Sequence, residues 1–336
     1  MTVTKLAVTG YPGWLTTALF DRLRAGGEGT PQEVVLLVHP ATLDAAREGA
    51  RDYPWPTQLV AYDLAKPGPI ADALRGVDTL VHTAALIHVK RTRDWYDVNT
   101  TGTLALAHEA KRAGVRRFVY ISSIAAAGKS ARGRVLREED PARPAHHYGR
   151  SKLRAERGLL DLNEPGVFEV VVLRPSMFYG PPVPQRHVEI YQRVRDGWMP
   201  LIGGGNYDRS MVHIDNLVQA VRRAMVVDGV AGRTYFIVDR PIYTTRQVTD
   251  AMASALGTNA RYVPIPAFLA ELAYQADRAI SALGIYVAPV HLVGESHWNQ
   301  AASCDRAVAE LGYRPEVELD AGMREAIAWC RAGGRL

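Results

Sequence analysis

The sequence predicts an α/β protein built on a doubly wound parallel sheet, with a smaller, mostly C-terminal lobe. Three observations predict it. Short runs such as Glu33–Val38 (EVVLLV) have the continuous apolar, β-branched character of strands buried on both faces. Segments of helical period separate these runs, and that alternation favours parallel pairing through crossover helices. After Arg174 the rhythm breaks into a proline- and glycine-rich loop, RPSMFYGPPVP, beyond which helices mix with short strands.

Taken in order, Lys5–Val8 is the first strand. Apolar Leu15, Ala18, Leu19 and Leu23 share one face of a helix over Trp14–Ala25. Glu33–Val38 is the second strand, and Leu43–Arg51 a helix. Further strands are expected at Gln58–Tyr62, Asp78–Thr83, Arg116–Ile121 and Val167–Leu173. Trp95–Ala113 reads as one helix stopping at Gly114. Thr234–Asp239 (TYFIVD) adds a strand to the sheet, and Pro264–Leu283 has an apolar helical pattern. Residues 1–175 are therefore expected to form the sheet domain, with return segments near 210–240, and residues 176–336 mainly the lobe.

The chain has 336 residues, 47% hydrophobic and 22% charged, an ordinary composition for a soluble globular protein. Its net charge of +5 comes from 34 arginines and six lysines, scattered beside acids without a basic tail. A nucleic-acid partner is not expected; the modest bias instead helps attract an anionic ligand. No apolar run reaches transmembrane length, and the N-terminus enters a strand without signal-peptide architecture. Cys304 and Cys330 form no metal or redox motif, so a cytoplasmic protein with free thiols is expected. His291 and His297 flank Glu295 at a spacing that fits no common metal motif, and no metal is expected.

Chemistry enters at VTGYPGWLT, where the first strand meets the first helix. Gly10 and Gly13 allow a tight turn, backbone N–H groups can approach a pyrophosphate, and the helix N-terminus faces its charge. A dinucleotide is the expected cofactor. The acid that commonly closes the next strand and holds the ribose of NAD is missing: Val38 is followed by His39 and Pro40. NAD(P)(H) is expected, with NADP(H) modestly favoured, because nothing there repels a 2′-phosphate. A second pattern is YGRSK, in which Tyr148 and Lys152 lie four residues apart on one helical face.

Together these residues resemble the extended short-chain dehydrogenases/reductases of the epimerase/dehydratase type, over nearly the whole chain. The stretch Thr9-Gly10-Tyr11-Pro12-Gly13-Trp14-Leu15-Thr16 resembles the family's TGxxGxxG, with Thr16 at the third glycine, which suggests looser helix–strand packing. Asp63-Leu64 is similar to the acidic site near the adenine, and HTAA, with Thr83, Ala84 and Ala85, to the segment lining the cofactor. Asn99 matches a central-helix asparagine. YISSIAAAG resembles the strand ending in the catalytic serine, aligned at Ser123; Tyr148 and Lys152 match the YxxxK pair. LRPSMFYGP, with Pro175 and Ser176, resembles the loop after the sixth strand.

The resemblance implies a Rossmann-type domain, a substrate-binding lobe and a plausible homodimer. It also implies catalysis by Ser123, Tyr148, Lys152 and Asn99: the serine holds the substrate oxygen, and the tyrosine passes a proton. The nearby ammonium of Lys152 would bring the phenol's pKa, ordinarily about 10, closer to neutrality. His147, Tyr179 and Arg209 are candidate substrate contacts, Arg209 for a diphosphate. Ile124 and Ala125 follow Ser123 where sugar dehydratases of this type carry an Asp-Glu pair. The ending GESHWNQAASCDRAVAELGYRP is nearest in pattern to the 3β-hydroxysteroid and sterol dehydrogenase branch, and the apolar Ala267–Ala288 segment suggests a pocket for a hydrophobic alcohol or ketone. The expectation is a hydrophobic small-molecule substrate; a sugar-nucleotide epimerase or reductase, and a non-catalytic NADP sensor, are the alternatives.

Overall fold

The structure, a computed structural model, describes residues 2–197 and 199–336. Six strands and the helices between them come first: β1 (Lys5–Thr9), α1 (Trp14–Arg24), β2 (Glu33–Val38), α2 (Leu43–Gly49), β3 (Thr57–Ala61), β4 (Thr79–His82), α3 (Thr92–Tyr96), α4 (Thr103–Arg112), β5 (Arg117–Ile121), α5 (His147–Asp161) and β6 (Glu169–Pro175). The lobe adds β7 (Met177–Tyr179), α6 (Gln185–Arg195), β8 (Met199–Ile202), β9 (Asp208–Arg209) and β10 (Met211–His213). The chain then returns through α7 (Ile214–Val226) and β11 (Arg233–Ile237). It finishes with β12 (Tyr243–Thr244), α8 (Thr245–Leu256), β13 (Tyr262–Ile265), α9 (Ala267–Ala282), α10 (Ala288–Glu295) and α11 (Leu319–Ala332).

Seven strands pair in the order β11-β6-β5-β4-β1-β2-β3, all parallel. Alternation along each strand feeds two cores. Leu6 and Val8 of β1 join α1 and α7 on one face, while Ala7 joins α4 and α5 on the other. A third core, built from α6, α8 and α11, holds the lobe together. The segment from Ala302 to Tyr313 also packs into the first core, a return the sequence pattern did not reveal.

Two expected helices differ. Trp95–Ala113 is broken by a π-turn at Asp97–Gly102 between α3 and α4. The extra residue turns Asn99 inward, where both ends of its amide are used (below). Pro264 lies not in a helix but in β13, which pairs on one side with β8, an edge position a proline tolerates; Pro266 then caps α9.

One buried ionic network ties three elements behind the cleft. Glu156 of α5 is 1% exposed and receives Arg174 of β6 through Nη2 at 2.6 Å and Nε at 3.0 Å. Ser122, just past β5, donates to the same carboxylate. A second buried cation, Arg117, bridges Glu169 and the carbonyls of Ala224 and Val227 at the end of α7, where donors satisfy the last carbonyls. Removing one member of a buried pair strands the other charge. Glu156→Ala is therefore expected to lower the unfolding free energy by roughly 3–5 kcal/mol in urea titrations, while Asp44→Ala, which breaks the exposed Asp44–Arg47 pair, leaves the midpoint unchanged.

Candidate active site

A cleft of about 880 Å³ opens at the carboxyl ends of the central strands, where open parallel sheets bind ligands. Its floor is the turn from β1 to α1. Gly10 has φ +84°, and a Cβ there would strike Thr83 Oγ1 and the Ala84 amide, so the turn admits only glycine. Gly13 precedes α1 with no side chain capping it, which leaves the first N–H groups of an 11-residue helix facing the cleft. This is a cradle of the size and polarity a pyrophosphate requires. Thr16, expected to loosen the packing, does the opposite: it is fully buried, and its hydroxyl lies 3.0 Å from the Gly10 carbonyl and 2.9 Å from that of Gly13, tying the turn together.

Tyr11, Pro12, Trp14, Leu15, Asp63, Leu64, Thr83, Ala84, Ala85, Pro175 and Ser176 all line the cleft, as does His39 at its far end. The His39 ring accepts from the Ala41 amide at 3.1 Å, and its Nε2 stands 3.9 Å from Asp63 Oδ1. Two buried polar atoms on the wall, Trp14 Nε1 and Ser176 Oγ, have no hydrogen-bond partner among the described residues. The set fits a dinucleotide: N–H groups for the phosphates at one point, and an imidazole and a carboxylate for the ribose end. His82, at the end of β4, holds the cradle's neighbours in place. Its Nδ1 pairs with Thr9 Oγ1 at 2.7 Å and its Nε2 with Thr103 Oγ1 at 2.9 Å; burial holds its pKa down at about 3, so the ring is neutral.

Ser123, Tyr148 and Lys152 line the same cleft. Ser123 caps a short 3₁₀ turn after β5, and its side chain is within hydrogen-bonding reach of the Tyr148 phenol. Gly149 explains the approach: a Cβ there would collide with the Ala125 carbonyl, so only glycine lets α5 press onto that turn. Burial pushes the phenol pKa up to about 12, against the Ser123 bond and the Arg186 charge, which pull it down. Lys152 is 2% exposed and donates to the Ile121 carbonyl at 2.7 Å, with its ammonium 4.4 Å from the centre of the Tyr120 ring. Arg186 is thus a cation acting on Tyr148 that the sequence did not suggest.

Four expected site residues have other partners. Asn99 accepts from the Leu86 amide at 2.8 Å and donates to its carbonyl at 2.9 Å, so it positions the cofactor wall rather than touching Tyr148. His147 Nδ1 pairs with the Tyr96 hydroxyl at 2.8 Å, away from the cleft lining. Tyr179 is 1% exposed and donates to Asp239 inside the lobe. Arg209 donates to the Glu295 carbonyl at 2.9 Å. The apolar Ala267–Ala288 segment contributes no lining residue either; α9 packs on α10. Sequence reasoning missed Arg186, which lines the cleft and lies 6.0 Å from the Trp14 ring, and Glu156. The signal for Arg186 was a cation in the first turn of α6, directly after the apolar loop that ends at Pro184.

With this geometry in place, comparison with known proteins is direct. Residues 6–237 match the NAD dependent epimerase/dehydratase family, and the chain belongs to that family. It is 32% identical to UDP-glucose 4-epimerase of Vibrio cholerae over 272 residues, 78% of this chain and 80% of that protein. It is 28% identical over 274 residues to the 4-hydroxy-2-methyl-3-oxo-4-farnesyl-3,4-dihydroquinoline-1-oxide ketoreductase of Stigmatella aurantiaca, covering 76% of this chain and 78% of the other. Among solved structures, DesIV, a dTDP-glucose 4,6-dehydratase of Streptomyces venezuelae with NAD and TYD bound, superposes with a TM-score of 0.78 at 25% identity, covering 98% of this chain and 97% of that one. The protein is an enzyme, an NAD-dependent oxidoreductase of the epimerase/dehydratase type. Among the described residues no helix is long and apolar enough to cross a membrane.

Burial lowers the Lys152 pKa from 10.5 to about 7, with Glu156 partly opposing. The folded chain therefore gives up this proton before the unfolded chain does. The cost is full below pH 7 and falls away as pH rises toward 10.5. In urea titrations of the cofactor-free protein, Lys152→Met should be the more stable near pH 7, with the gap closing by pH 10. A gap independent of pH would contradict the shifted lysine.

Proposed function

We propose that this enzyme interconverts a secondary alcohol and a ketone on a hydrophobic small molecule, with Ser123, Tyr148 and Lys152 as its proton-transfer site. The observation that carries the substrate class is the commitment of Arg209. The residue a diphosphate would need is bonded to the Glu295 carbonyl, while Leu86, Ile87, Phe178 and Pro184 give the cleft apolar walls. The turn before α10 supports the same reading. Tyr286 packs on Trp95 at 4.8 Å, and Trp95 lies 6.3 Å from Tyr148. In the same α9–α10 region Phe268, Leu272 and Leu283 are exposed, an apolar surface consistent with this substrate class.

Bound in the cradle, the nicotinamide cofactor supplies the hydride acceptor or donor. Ser123 holds the substrate oxygen and steadies charge developing there. Tyr148 moves the proton to or from that oxygen, helped by the Arg186 charge. Lys152 uses one of its three donors on Ile121 and keeps two for the cofactor ribose. At the adenosine end we propose that His39 accommodates a 2′-phosphate, since no acid closes β2; Arg47 is engaged by Asp44. Homodimerisation and a cytoplasmic setting remain part of the proposal.

A second reading, a sugar-nucleotide epimerase or reductase, is favoured by Arg186 and by the Vibrio cholerae and Streptomyces venezuelae relatives. Arg186 offers a cation to the cleft and has no salt bridge among the described residues.

Tyr148→Phe should reduce turnover at least about a hundredfold while leaving cofactor affinity unchanged. In thermal melts with cofactor present, a steroid or long-chain ketone should raise Tm, and UDP or GDP should not. Stabilisation by UDP that is lost in Arg186→Ala would reverse the substrate assignment. For the cofactor, fluorescence titration should find NADPH bound at least as tightly as NADH, and His39→Asp should shift the preference toward NADH through repulsion of the phosphate.

A further inference from the structure

Beside the catalytic tyrosine, outside the cleft lining, three groups from two distant segments of the chain converge. His146 immediately precedes α5, and His291 and Glu295 lie one turn apart on α10. Each offers a ligand atom, and all three atoms lie within 4.8 Å of one another. We propose that His146, His291 and Glu295 bind a divalent transition-metal ion, with Asp277 of α9 orienting His291.

The donor set selects the class. Two imidazoles and one carboxylate suit zinc, nickel, cobalt or iron(II), whereas magnesium and calcium prefer oxygen. The orientation of His291 is already fixed. Its Nδ1 pairs with Asp277 Oδ2 at 2.9 Å, which leaves Nε2 directed at Glu295 Oε1, 3.5 Å away. A carboxylate behind a histidine in this way sets the tautomer and raises the basicity of the free nitrogen.

His146 provides an independent observation. It is 9% exposed, yet neither ring nitrogen makes a hydrogen bond; Nε2 abuts Glu295 Oε1. Glu295 is thus the ring's ion-pair partner, without a well-formed hydrogen bond at either nitrogen among the described residues, and an ion between the rings would bridge imidazole and carboxylate. The two rings stand 4.5 Å apart, centre to centre, at an interplanar angle of 79°. Nitrogens bound about 2.0–2.1 Å from one ion in adjacent positions put ring centres roughly 4.5–5 Å apart. Ligand atoms of one ion sit roughly 3 Å from each other, so Glu295 must swing slightly from His146. Trp298 stacks on His146 at 5.3 Å and Tyr286 packs on His291 at 5.2 Å, a wall that limits water. Arg209, the nearby cation, is bonded to the Glu295 backbone carbonyl rather than to its carboxylate. A second group, His213, Asp215 and Glu325, is less suitable because Arg22 already holds Asp215 at 2.8 Å.

The test uses tag-free full-length protein stripped with EDTA and titrated calorimetrically with zinc chloride, then nickel chloride. Zinc is expected to bind one per chain with micromolar or tighter affinity. His146→Ala and Glu295→Gln should each weaken it at least about a hundredfold, and Asp277→Asn about 10–100-fold. Tyr148→Phe should bind zinc like the wild type, which separates this site from the hydride-transfer reading. Absence of saturable binding, or wild-type affinity in both His146→Ala and Glu295→Gln, would overturn the proposal. Wild-type crystals soaked in zinc chloride bypass any folding defect of the variants. An anomalous peak between His146, His291 and Glu295 supports the site, and its absence there refutes it.

Discussion

Glu156 and Arg174 form the contact on which the active cleft depends. The three groups expected to do chemistry lie on β5's exit and on α5, and neither element alone fixes their separation. The carboxylate of Glu156 joins α5 to the end of β6 through Arg174, and to the exit of β5 through Ser122. Ser122 precedes Ser123, and Glu156 lies one helical turn beyond Lys152. The network therefore sets the height and rotation of α5 relative to the strand that carries the serine. Gly149 sets the remaining degree of freedom, the distance between helix and turn. A pair buried to this degree contributes little net stability compared with apolar residues of equal volume; its value here is geometric.

Much of this molecule was legible in its residues. Strand runs such as EVVLLV needed no context, because burial on both faces leaves one reading of such a segment. Gly10, Tyr148 and Lys152 were legible because their spacing carries the geometry. What escaped has a common cause: it depends on contacts between distant segments. The π-turn at Asp97–Gly102 has no local signature, and its effect appears only when Asn99 meets Leu86. Arg209 looked available in the sequence, and only the fold shows Glu295 beside it. Glu156 carries no signal of its own, and only the fold brings it to Arg174, a charge near the end of an apolar strand.

The electrostatics of the cleft follow from enclosure more than from pairing. Burial raises Tyr148 and lowers Lys152, so enclosure works against the charged form of both groups. A charged cofactor entering such a site meets little pre-existing opposite charge on that side, apart from Arg186. The polarity it finds comes from backbone N–H groups at α1, whose direction does not change with pH.

The sheet's outer strand, β11, reaches its place beside β6 only after the chain has built β7 to β10, and the segment from Ala302 to Tyr313 returns to the same core. The two halves are thus stitched together by repeated crossings rather than joined at one linker. A hinge between them would have to bend the chain at each of these crossings at once. Access to the cleft is then governed locally, by lining side chains such as Trp14 and Arg186, and ligand exchange proceeds without parting the halves.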